Sequence, residues 1–568
     1  MKKQLFAILG SALTTALFAQ PDNKFEANQT YTHTELIAEY QKLDDSYAQA
    51  NLIEYGSTDV GRPLHLFVMN KNKVFDPMKI QKQNVLLIMN GIHPGESCGV
   101  DASIKWSYDL LASDGLPDNV VICIIPMYNV GGSLNRRPQT RANQNGPESQ
   151  GFRGNARNLD LNRDFIKADA RNTRTLFSIF QDWDPDVFVD THTTDGADFP
   201  YDLTLIGSQP DALGSTMGPY LRQIFEPALY ERMKESGNEI IPYVNVFGSD
   251  PFDGWKRFFE SPRYSTGFAA LHHAFPFVTE AHMLKSYQDR VEATYAFFEV
   301  MLAFINENST QITSIRSLEI QKSLEAKEWS ISWVLDSSKV SRLPFKGYPS
   351  EQVLMESVVG NKIQFDRNVI EEKEVDYYEW YKPLESVPVP KYYIVPQAWS
   401  EIIERLIWNG VELVRMEKDT VIEVEALYFE NVESSSQPYE GHFTHFGLLT
   451  PERVTEKVPY FAGDFLIKTG QKSKRYIIET LEPTATDSYF RWGFFDSSLQ
   501  QKEWYSGYIF DTTAARMLEE DDALRRDFEV AKSADPQLAE SGRYQMYWLY
   551  KRSTLYERPG RYPVTRIY

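Results

Sequence analysis

The chain has 568 residues, enough for two or more domains, and its 42% hydrophobic and 14% aromatic content indicates core-forming sequence rather than disorder. A formal net charge of −20 argues against nucleic acid or an anionic membrane surface as a partner, since either would be repelled. That charge favours solubility and does not identify a substrate.

In chain order, the first feature is MKKQLFAILGSALTTALFAQ, where Lys2 and Lys3 precede an uncharged stretch from Leu5 to Ala19. This stretch is too short to span a membrane and has the layout of a signal peptide over residues 1–19. No later apolar run reaches transmembrane length, so a soluble secreted or periplasmic protein is expected. From about residue 80 to 300 apolar strands alternate with helical stretches, which favours an α/β sheet covered by helices. NVLLIMN (84–90) is the first strand, and SCGVDASIKWSYDLL follows with Val100, Ile104, Tyr108 and Leu111 on one helical face. VVICIIPMYN (120–129), DVFVDTH (186–192) and AFPFVTEAH (274–282) are three more strands, and RVEATYAFFEVMLAFINE is helical. Between the second and third strands, residues 131–164 form a polar loop rich in Gly, Asn and Arg, long enough to suggest function. Cys98 and Cys123 are the only cysteines, and both fall in regular buried elements where a free thiol is common.

Beyond residue 309 the composition shifts to short alternating runs such as EWSISWVLD and TVIEVEALYFE, which suggests a β-rich α+β region of unknown role over 310–568. Within it KYYIVPQAWSEIIERLIWNGVELVRM reads as a strand leading into a short helix that stops at Gly410. A last helical section lies around AARMLEEDDALRRDFEVA.

Three apolar strands end in chemistry-bearing residues. His93 and Glu96 follow the first in GIHPGESCG, His192 closes DVFVDTH, and Glu280 closes FPFVTE. Taken singly these are ordinary strand-end residues. In α/β sheets, however, sites gather beyond the carboxyl ends of strands, so the four are expected to converge. Two histidines and one carboxylate suit one catalytic zinc with a position open for water, and a further carboxylate such as Glu280 could take the water's proton.

With these motifs in this order, residues 80–300 resemble the zinc metallocarboxypeptidases related to carboxypeptidase A. The resemblance implies a mixed twisted sheet flanked by helices in a catalytic domain over 20–309. It implies one zinc on His93, Glu96 and His192, Glu280 as general base, and a peptide substrate. NLDLNRDF resembles the family's D-x-N-R segment, which makes Asn162 and Arg163 the grip on the substrate's terminal carboxylate and Asp160 the partner of the first histidine. Arg153, ten residues before Arg163, would polarise the scissile carbonyl, and Tyr264 in PRYSTG would close over substrate. Three features depart from the family: Gly95 stands where arginine often precedes the glutamate, Asn129-Val-Gly-Gly replaces N-P-D-G, and Tyr264 precedes Glu280 by only 16 residues. HPGE with DTHTTDG looks closer to a secreted bacterial branch or to the cytosolic members. A zinc amidase or deacylase acting on peptidoglycan peptides or acyl amino acids is the alternative enzyme, and a non-catalytic binding protein on the same fold is the alternative outside enzymes. His272, His273 and His282 receive no role, and His442 with His445 is expected to be structural.

Overall fold

The computed structural model describes residues 22–80, 82–194 and 196–568, so the signal-peptide segment lies outside the described residues. An eight-stranded mixed sheet organises the first half. Its strands are β1 (Ala50–Ser57), β2 (Pro63–Met69), β3 (Asn84–Met89), β4 (Val120–Ile125), β5 (Val187–Thr194), β6 (Leu203–Gly207), β7 (Ile241–Pro242) and β8 (Phe275–His282), in the order β1-β2-β4-β3-β5-β8-β6-β7. The central strands β4, β3, β5 and β8 run parallel, and antiparallel strands flank them on both sides. β3 and β4 are buried along their whole length, which is why NVLLIM and VVICII show no alternation: each faces a packed layer on both sides.

Those two layers are distinct. Leu86, Ile88, Ile122 and Val189 point into a core made with helices α1 (His33–Ser46), α2 (Cys98–Ala112) and the long α5 (Tyr287–Glu325). The alternate residues Leu87, Cys123, Ile125 and Phe188 point into a second core with α3 (Arg171–Trp183) and α4 (Ser265–Leu271). This second core also contains Ile331, Val387, Tyr393, Ile402, Leu406 and Trp492, so the C-terminal region completes the layer on that face. The division expected at residue 309 falls inside α5, beside Asn308, where the backbone leaves helical angles (φ −107°, ψ 15°).

The C-terminal region is β-rich, as its alternation implies. Its six-stranded sheet includes Tyr392–Val395, Thr420–Tyr428 and Glu452–Tyr460, and Glu328–Leu335 pairs with Tyr381–Pro388. The helix Ser400–Trp408 ends at Gly410, whose φ of +69° is the left-handed stop read from the sequence. The last helical section is two helices, Gly507–Glu520 and Asp522–Ala534, because the Asp521 carboxylate accepts the N–H groups of Ala523 and Leu524 and caps the second. Cys98 and Cys123 are free and buried. Among the described residues no helix is long and apolar enough to cross a membrane.

Candidate metal centre and its cleft

The chain leaves β3 through Gly91, whose φ of +69° needs glycine and where a Cβ would lie 2.5 Å from the Met127 sulfur. The following turn is closed by the Glu96 N–H donating to the His93 carbonyl at 2.8 Å, which turns both side chains to one side before α2 begins. From the neighbouring strand β5, His192 reaches the same point. Its Nδ1 lies 2.9 Å from Glu96 Oε2, the Nδ1 of His93 lies 3.2 Å from Glu96 Oε1, and the three residues offer ligand atoms within 4.8 Å of one another. All three are buried.

The tautomers follow from the opposite ring nitrogens. His93 Nε2 faces Asp160 Oδ1 at 2.8 Å, and His192 Nε2 faces Asp190 Oδ2 at 2.9 Å. Carboxylates only accept, so each neutral ring carries its proton on Nε2 and turns the Nδ1 lone pair inward. Two inward lone pairs against a carboxylate repel unless a cation lies between them, and buried His93 Nδ1 has no hydrogen-bond partner among the described residues. The donor set therefore fits a divalent metal, and two imidazoles with one carboxylate are a zinc set. The charges agree. Burial raises Glu96, but Arg141, His93 and His192 outweigh it and hold its carboxyl well below the usual range. Burial lowers His192, but Asp190 and Glu96 reverse this and hold it well above its ordinary value.

Glu280 arrives by register. β5 and β8 pair in parallel with His192 opposite Glu280, so both side chains project from the same face. Glu280 and the proposed ligands line a cleft of about 300 Å³. Burial, with Glu96 and Glu260 adding repulsion, pushes the Glu280 carboxyl up to about 8 against the opposing pull of His192 and Arg141. Glu260 lines the same cleft, accepts from the Thr266 hydroxyl, and is itself pushed up to about 7 by burial.

The 131–164 loop supplies the cations. Arg153 donates from Nε to Asp160 Oδ2 at 3.0 Å and lies 3.5 Å from Glu96 Oε1, so the Asp160 carboxylate bridges His93 and Arg153. Asn162 is fixed by its Oδ1 accepting the Ser265 N–H at 3.1 Å, which leaves the donor end of its amide to the cleft. Arg163 donates from Nη1 to the Asn162 carbonyl at 2.8 Å, and its guanidinium stacks 4.3 Å from the Tyr264 ring centre. The cleft thus gathers every cleft-facing residue singled out in the sequence, and Asp160 stands behind His93.

Other contributors were not legible. Asp190 has a local signal, since D-x-H on a strand puts both side chains on one face two residues apart. Arg141 has none: its guanidinium pairs with Glu96, Nη2 donates to the Thr193 carbonyl at 3.0 Å, and its stem lies across Gly95. A Cβ at Gly95 would sit 2.9 Å from Arg141 Cδ and 3.3 Å from the Gly151 carbonyl oxygen, so this glycine makes room for an arginine brought from another loop. Of the unassigned histidines, His282 packs on Phe199 and pairs with Asp198, and His445 bonds to Ser434 and Asp496.

No family profile matches the chain. In sequence it is similar to "Carboxypeptidase 2" of Trichophyton equinum, 23% identical over 424 residues, covering 72% of this chain and 73% of the relative. The same protein of Trichophyton rubrum is 23% identical over 429 residues, again covering 72% and 73%. Among solved structures, a metallo-carboxypeptidase from Burkholderia cenocepacia superimposes with a TM-score of 0.36 at 16% identity, covering 49% of this chain and 70% of its own. The carboxypeptidase A of Helicoverpa armigera gives 0.38 at 13% identity, with 51% and 76% covered.

Proposed function

We propose that this chain, whose site and sequence relatives support a place among the zinc carboxypeptidases, is a secreted or periplasmic enzyme that removes C-terminal residues from peptides. The carrying observation is the meeting of His93, Glu96 and His192 beside Glu280 in one cleft that also holds Asn162 and Arg163. One zinc held by the first three would polarise the substrate carbonyl and acidify a water molecule. In its ionised form Glu280 accepts that water's proton and delivers it to the leaving amine. Arg153 faces the charge developing on the carbonyl oxygen, an effect commonly worth about 3 kcal/mol per preorganised donor. Asn162 and Arg163 hold the terminal carboxylate, with Tyr264 stacked on the guanidinium to fix its plane. Asp160 and Asp190 keep the two imidazoles in the tautomer that ligates. The export reading rests on the N-terminal sequence alone.

The test is cleavage of a panel of C-terminally varied peptides by the purified protein, with and without added zinc. Zinc-dependent release of single C-terminal residues is expected. Release of acyl groups or amides without a preference for free carboxyl ends would favour the amidase reading.

A further inference from the structure

The C-terminal region does more than complete a core layer. Tyr439 and His442 form a two-residue hairpin turn, each N–H donating to the other's carbonyl at 2.8 and 3.0 Å. Glu440 (φ +49°) and Gly441 (φ +87°) between them are both left-handed, the backbone of a tight type I′ turn. The turn is anchored behind its tip. His442 bonds to Asp169 at 2.7 Å and to the Trp492 carbonyl at 2.8 Å, and the Tyr439 ring stacks on Trp492. Arg263 lies over Trp492 and is held by Asp487.

The tip of this turn meets the segment that carries the carboxylate clamp. Tyr439 Oη accepts the Arg163 Nε–H at 3.1 Å, and Glu440 Oε2 accepts the backbone N–H of Asp160 at 2.8 Å. With Nε held by Tyr439, Nη1 held by the Asn162 carbonyl and one face on Tyr264, the Arg163 fork has a set direction. Glu440 fixes Asp160, the residue that caps the Leu161–Arg163 turn, and with it the carboxylate that bridges His93 and Arg153. An arginine preset in this way loses less side-chain freedom when an anion binds.

We propose that Tyr439 and Glu440 are positioning residues of the cleft, so that the C-terminal region presets Arg163 for a substrate's free carboxylate and holds Asp160 behind His93 and Arg153. This assignment rests on the carboxypeptidase reading above. The test compares Tyr439→Phe, Glu440→Ala and the conservative Glu440→Gln in the full-length zinc-loaded protein. Steady-state kinetics use one peptide as acid and as amide. Calorimetry follows the same acid peptide binding to each variant in a Glu280→Gln background. Tyr439→Phe should raise KM for the acid by about tenfold, the loss of one hydrogen bond to a charged group, and Glu440→Ala should lower kcat/KM by a similar factor. In Tyr439→Phe kcat should stay within about twofold and the amide should be unaffected, in Glu440→Ala acid and amide should lose alike, and in both the zinc content of the loaded protein and the melting temperature should be unchanged. Glu440→Gln, which keeps an accepting oxygen, should stay close to the parent. Unchanged KM and unchanged calorimetric affinity in Tyr439→Phe would overturn the proposal, as would unchanged kcat/KM in Glu440→Ala or equal losses on acid and amide in Tyr439→Phe. If the parent enzyme fails to distinguish acid from amide, the carboxypeptidase reading falls. The calorimetric comparison then decides the positioning role alone: weaker binding of the acid peptide in Tyr439→Phe supports it, and unchanged binding overturns it.

Discussion

Replacing Glu280 by glutamine keeps the shape of the side chain and removes its capacity to take a proton. Its charge is disfavoured in the cleft: burial first, then Glu96 and Glu260, push the Glu280 carboxyl up to about 8 against the pull of His192 and Arg141. Glutamine has no charge to bury or repel, so Glu280→Gln should fold with an unchanged or higher melting temperature. Zinc should stay bound, because Glu280 adds no atom to the His93, Glu96 and His192 set. Turnover is another matter. A positioned acid–base group contributes roughly 10²–10⁴-fold, so kcat should fall at least ~100-fold, or about 3 kcal/mol at the barrier. The assay is kcat for one cleaved peptide, with zinc content measured on the same sample. Near-normal turnover with full zinc would refute the assignment and move the base to another cleft carboxylate, with Glu260 the next to test.

Three further outcomes follow from the same geometry. His192→Ala should lose stoichiometric zinc, measured by metal analysis after dialysis, and full occupancy would break the ligand set. Asp190→Asn frees the His192 tautomer and should weaken zinc binding about 10–100-fold in a chelator competition, with little change in fold. Asp101, buried at α2 and accepting from the Tyr287 hydroxyl at 2.6 Å, is pushed up to about 7 by burial. Its folded-state value is raised, so its stabilising share is full below about pH 4 and is lost as pH rises through 7. Moving from 3.8 to about 7 corresponds to about 4 kcal/mol at most, so thermal stability should fall across that window and Asp101→Asn should flatten the fall. A parallel pH profile in both proteins would contradict the assignment.

The central strands were legible because β3, β4, β5 and β8 are continuous apolar runs, and the ends of β3, β5 and β8 carried the candidate metal and base residues with them. The outer strands β1, β2, β6 and β7 were not read: β1 is half-buried, β7 has two residues, and β2 and β6, though buried, are short runs interrupted by His65 and Thr204. Asp160 was found through a motif and Asp190 was overlooked, although its spacing from His192 holds the information. Arg141 and the Tyr439–His442 turn could not be read at all. Arg141 reaches Glu96 across 45 residues and Glu440 reaches Asp160 across 280, and contacts between distant loops leave no local pattern. Gly95 shows the same limit from the other side: its meaning lies in the arginine stem packed over it.

The most direct test of the account is kcat/KM for one peptide as its free acid and as its C-terminal amide, measured on the zinc-loaded enzyme. If Arg163 and Asn162 grip the terminal carboxylate, an amide leaves the guanidinium without its partner in a secluded cleft. Losing such a charge-assisted pair costs roughly 2–5 kcal/mol, or about thirty- to several-thousand-fold. The account predicts that the acid is cleaved faster by that margin and that Arg163→Ala narrows the gap. Equal rates for acid and amide would contradict it.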